Sequence, residues 1–164
     1  MIFHRHREGL FSAASAGVFL VLIGTLFMIN PNLFDNITTY FNNFNVTQVN
    51  NSTIYLPSPI EPPKNASVLA ANQAVYSAVE QFSLAWGIFL IILLAVRFVT
   101  YSPTRKKADN LGDIAFWLGT TYLTRTYLID TSKWFVYWSL IIVLIGISLI
   151  VRAVYLAAAW KSHK

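Results

Sequence analysis

The chain contains no cysteine. Disulfides, thiolate metal sites, cysteine nucleophiles and S-palmitoylation are thereby excluded, and an exported segment has to be stiffened by packing alone. Charge is scarce as well: 12% of residues are charged, and seven carboxylates stand against twelve lysines and arginines, for a net charge of +5. The carboxylates are Glu8, Asp35, Glu61, Glu80, Asp109, Asp113 and Asp130. No two of them fall in the centre of an apolar run, so an intramembrane acid–base pair or proton relay has little to work with. His4, His6 and His163 are the only histidines, and a metal centre needs three or four converging donors. They read as exposed members of basic tails. Glycine-rich phosphate loops, H-E-x-x-H and G-x-S-x-G are all missing. No catalytic residue, cofactor or metal is expected, and the chain reads as non-enzymatic.

What is abundant is apolar sequence in long runs. Residues 134–151, WFVYWSLIIVLIGISLIV, carry no charge; Trp134, Tyr137 and Trp138 open the run, and Arg152, Tyr155 and Trp160 follow it. A hydrocarbon core about 30 Å thick takes about 20 apolar residues in helix, with aromatic rings at both interfaces. Residues 134–160 are therefore a membrane span, ahead of a basic tail at 161–164. A second span follows residues 1–9, whose Arg5 and Arg7 precede the apolar run 10–29. Its small residues come first and Phe27, Met28 and Ile29 last, the reverse of a cleavable signal, so it reads as a permanent span with a cytoplasmic N-terminus. Ala13, Gly17 and Gly24 fall near one face of it, a stripe that lets another helix approach. The third span lies in residues 67–101, with a membrane core at 82–98 bounded by Glu80 and Arg97.

Residues 30–66 form a loop of about 36 residues whose single basic residue, Lys64, suits the outer side. Pro31, Leu33, Ile37, Tyr40, Phe41 and Phe44 predict a short aromatic-faced helix, and β-prone runs at 46–49 and 53–56 flank Asn50-Asn51 as a small hairpin. Pro57, Pro59, Pro62 and Pro63 then hold the chain extended. Five N-x-S/T sequons begin at Asn36, Asn45, Asn50, Asn51 and Asn65, marking the loop for N-glycosylation.

Residues 102–133 are the ambiguous piece. Arg105, Lys106 and Lys107 stay cytoplasmic by the positive-inside rule and attract anionic headgroups. The stretch from Leu111 to Asp130 contains six strongly apolar residues giving roughly −2 to −3.5 kcal/mol for insertion, against about +2.5 to +3.5 for Arg125 alone. Four threonines push further against insertion, so the segment is expected as an interfacial or re-entrant cytoplasmic helix. Arg125 then contacts headgroups, Asp130 or a partner subunit's carboxylate. Charge placement argues the other way, because a fourth span leaves more Lys and Arg inside. Three spans are the expectation and four the alternative.

The sequence thus predicts an all-α, multi-pass integral protein of the cell membrane. Basic residues clustered at span ends serve orientation, so membrane lipids are partners and nucleic acid is not. Packing faces, aromatic connections and sparse polar chemistry point to a non-catalytic accessory or scaffolding subunit in a hetero-oligomeric membrane complex. A small homo-oligomeric channel or transporter is the alternative reading.

Overall fold

The computed structural model describes residues 2–49, 53–59 and 66–161, with side chains described from residue 9 to residue 160 within them. In chain order these form α1 (Ile2–Ile29), α2 (Leu33–Asn42), β1 (Phe44–Gln48), β2 (Tyr55–Pro59), α3 (Ala66–Val99), α4 (Thr104–Leu123), a π-helical turn (Thr124–Ile129) and α5 (Trp134–Lys161). The protein is mostly helical, and three stretches are long and apolar enough to cross a membrane: Gly9–Ile29, Ala66–Val99 and Trp134–Trp160.

Local chemistry sets the ends. Asn30-Pro31 closes α1, and the Leu33 amide bonds back to the Asn30 carbonyl to start α2. At the end of α3, Tyr101 adopts a positive φ of 52°. The Ser102 amide reaches back to the Arg97 carbonyl at 3.1 Å, the terminating geometry in which glycine is usual. Pro103, which cannot extend a helix from its own amide, starts α4 on a new axis. Ser132, with φ 50°, makes the second reversal, into α5.

α4 and its π turn run antiparallel to both α3 and α5, between the two. Near one end the Arg97 guanidinium of α3 donates to the Lys106 carbonyl at 2.8 Å. Midway the Asn110 amide donates to the Leu90 carbonyl at 3.1 Å, and near the other end Arg125 meets Glu80 at 3.6 Å. Against α5 the same order runs from Asp113–Arg152 to Thr124–Tyr137. Residues 102–133 therefore do not lie along one end of the bundle. At about 1.5 Å per residue, α4 plus the π turn reaches roughly 35–40 Å, close to the length of α5 and short of the longer α3. Glycines permit the close approach: a Cβ at Gly87 would stand 2.6 Å from Leu118 Cδ2, one at Gly119 would stand 2.5 Å from Leu144 Cδ1, and one at Gly112 would collide with the Arg152 side chain.

α1 stands to the side. None of its apolar window is buried, and its contacts with α3 include Phe19, whose ring lies edge-on to Phe82 at 5.5 Å and to Trp86 at 5.6 Å.

Above Glu80, the first half of α3 supports a cap made of α2 and the hairpin. Tyr40 is its hub, with edge-on ring contacts to Phe44, Tyr76 and Trp134 at 5.1, 5.7 and 6.3 Å. The Trp134 indole donates to the Pro57 carbonyl at 3.3 Å, so the start of α5 sits at the hairpin end. The hairpin pairs Phe44 with Pro59 and Val46 with Pro57. Prolines two apart point their donor-less nitrogens to one edge. On the other strand the outward Val46 amide is taken by Asn45 Oδ1 at 2.9 Å, so each outer edge of the ribbon loses donors that a foreign strand would use. Pro57 and Pro59 thus lie in extended chain that pairs as a strand.

Candidate functional site

Two belts of charge bracket the bundle. The upper belt joins α3 to the π turn: Arg125 lies 3.6 Å from both Glu80 and Asp130. Its side chain is 60% exposed and that of Glu80 20%. The lower belt lies 17 residues further along α3, about 25 Å away, and contains Arg97, Lys106 and the Asp113–Arg152 pair. Lys107 Nζ sits 4.7 Å over the Phe98 ring, and the Arg97 guanidinium carbon lies 6.0 Å from the Phe11 centroid. Arg105 and Lys106 are exposed beside them. The separation of the belts is close to a hydrocarbon thickness.

Between the belts several polar side chains of α4 find partners within the bundle or on their own helix. Thr124 and Tyr137 share a buried hydroxyl–hydroxyl bond of 3.3 Å. Thr120 and Thr121 donate to the carbonyls four residues back, at 2.9 and 3.0 Å. Asn110, 2% exposed, bridges to α3. These bonds consume the polarity that made the segment look poorly suited to an apolar environment.

The residues singled out from sequence are scattered. Ala13, Gly17 and Gly24 are exposed on α1, and nothing lies within 4 Å of a Cβ added at Gly17 or Gly24. Asn45 is exposed on β1, while Asn36 is half-buried in α2. The sequons at Asn50, Asn51 and Asn65, and the histidines His4, His6 and His163, lie outside the described residues or side chains. Among the described residues no three His, Asp or Glu side chains converge as a metal site would require.

Sequence reasoning missed the Asp113–Arg152 pair, because 39 residues separate its partners. It also passed over Gly112 and Gly119, although small residues seven apart on one helix face are a readable packing signal. The family models, curated proteins and solved structures offer no match to this chain. Function has to be read from the arrangement itself.

Proposed function

We propose that this protein is a non-catalytic accessory or scaffolding subunit of a larger complex in the cell membrane, with its hairpin cap outside and its N-terminus cytoplasmic. The observation that carries the reading is a contrast between glycines. Gly87, Gly112 and Gly119 each bring two helices together, whereas Gly17 and Gly24 face open space on α1. In a bilayer, lipid tails are as apolar as leucine, so close helix packing rather than hydrophobicity drives association. An exposed small-residue face on a helix at the side of the bundle is what a partner's helix would use.

The same reading gives α4 and its π turn a fourth crossing. Support comes from the 3.3 Å bond between Trp134 and Pro57, which ties the start of α5 to the end bearing the hairpin, and from the partnering of Arg125 at the upper belt. The short loops at the lower end then hold the basic run Arg105–Lys107, in keeping with positive-inside orientation and headgroup contact.

Extraction in mild detergent followed by intact-mass analysis tests the subunit reading. Foreign membrane subunits are expected in stoichiometric amount, and Gly17→Leu with Gly24→Leu should release them while leaving the fold intact. A lone monomer or a pure homo-oligomer would overturn it.

A further inference from the structure

We infer that the cleft between α1 and the bundle is a binding site for one hydrocarbon chain of an outer-leaflet lipid. This goes beyond the subunit reading, since it concerns a face of α1 other than its small-residue stripe. The cleft, open along one side, has a volume of about 540 Å³, within the range of about 300–1,000 Å³ usual for small-molecule sites. Ile23 and Phe27 of α1 form one wall, Val79 and Phe82 of α3 the back, and Trp117 and Ile141 the far side.

The chemistry of the walls selects the occupant. Two polar residues in the lining, Ser83 and Thr120, spend their hydroxyls on the carbonyls of Val79 and Phe116 at 2.7 and 2.9 Å. A third, Tyr137, shares its hydroxyl with buried Thr124. These hydroxyls are already partnered within the chain, so they offer little to hold water or a polar ligand. An empty cleft would forfeit dispersion contacts along all of its walls. Hydrocarbon is the filling that costs nothing in lost hydrogen bonds.

Shape excludes the other apolar occupant, a crossing helix. Leu33 and Ile37 of α2 roof the cleft at the hairpin end. Phe19, its ring 5.5 Å from Phe82 and 5.6 Å from Trp86, bridges α1 to α3 near mid-height. A transmembrane helix about 10 Å wide has to pass through both. A flexible chain entering sideways does not. The walls continue into surfaces that already face lipid, with Leu20 68% exposed on α1 and Ile142 70% exposed on α5, so the bilayer itself supplies the ligand.

The test reconstitutes the purified full chain in phosphatidylcholine vesicles containing a phospholipid with a diazirine on its acyl chain. After photolysis, adducts are mapped by peptide mass. Adducts on Ile23, Val79 and Trp117 are expected at several times the density found on Ile142 and Ile150, which face bulk lipid. Filling the cleft with Val79→Trp should cut adducts at Ile23 and Trp117 at least fivefold and leave those on Ile142 unchanged. Ile23→Trp, on the loosely held α1, repeats the test from the opposite wall should the first variant misfold. Equal labelling of cleft and outer faces, indifference to both fillings, or a cleft shielded by a second copy would each overturn the proposal. Because no partner subunit is present, the outcome is independent of the co-purification experiment.

Discussion

Gly119 and Gly24 look alike in the sequence and differ wholly in what surrounds them. A Cβ on Gly119 would stand 2.5 and 2.8 Å from the two methyl carbons of Leu144, which is 9% exposed and has little room to move. Gly119→Val is therefore expected to cost about 1–3 kcal/mol through overpacking, seen as a lower thermal midpoint in detergent. Gly24→Val, entering open space, should change stability by less than about 0.5 kcal/mol and leave that midpoint nearly where it was. Arg125 makes the matching point for charge. The side chain is 60% exposed and its two carboxylate partners lie at 3.6 Å, so Arg125→Ala should cost less than about 1 kcal/mol. A loss of several kcal/mol in the same melting experiment would mean that this guanidinium is dehydrated. Small-residue spacing in the sequence announces that a face can be approached closely. It does not say which helix approaches, so Gly17 and Gly24 drew attention while Gly87 and Gly112 did not.

Among the elements, α1, α3 and α5 were legible because uninterrupted apolar runs need no partner to declare themselves. α2 was legible from its aromatic spacing, and the hairpin from the β-prone runs around Asn50-Asn51. α4 was legible as a helix but not as a member of the bundle. Per-residue hydropathy scores Arg125 and four threonines as isolated groups, whereas the fold gives Arg125 two carboxylates and returns the hydroxyls of Thr120 and Thr121 to their own helix. Pairing across 45 residues of chain, as between Glu80 and Arg125, leaves no local trace. The weak attachment of α1 yields a prediction at the same scale. Phe19→Ala removes two edge-on ring contacts worth about 0.5–1.5 kcal/mol each. Spin labels at Leu20 and Ile142, both lipid-facing, should then give a visibly broader distance distribution, while labels at Ile92 and Ile142 keep theirs. Unchanged distributions in both pairs would show that α1 is held by more than Phe19.

At the scale of the whole molecule, one side assignment distinguishes three crossings from four, and the absence of native cysteine makes it directly measurable. The exposed positions Asn45 on the hairpin, Lys106 at the start of α4, Lys133 before α5 and Ala158 near the end of α5 each accept a single introduced cysteine. With four crossings, a membrane-impermeant maleimide added to intact cells labels Asn45→Cys and Lys133→Cys, while Lys106→Cys and Ala158→Cys react only after permeabilisation. With an interfacial or re-entrant α4, Lys133→Cys joins Lys106→Cys inside and Ala158→Cys moves out. Bundle geometry favours the first pattern, because Lys133 is followed at once by Trp134, and Trp134 is bonded to the hairpin. The charge balance agrees: four crossings gather Arg97, Arg105, Lys106, Lys107 and Arg152 at the cytoplasmic end with the basic N-terminal tail. They leave Arg125 in the outer belt, where Glu80 and Asp130 offset it. Labelling of Ala158→Cys from outside intact cells would detach α4 from the role of a crossing helix. The Trp134–Pro57 bond would then have to join two segments on opposite faces of a bilayer, which its length of 3.3 Å forbids; that single result would therefore overturn the bundle as well as the topology.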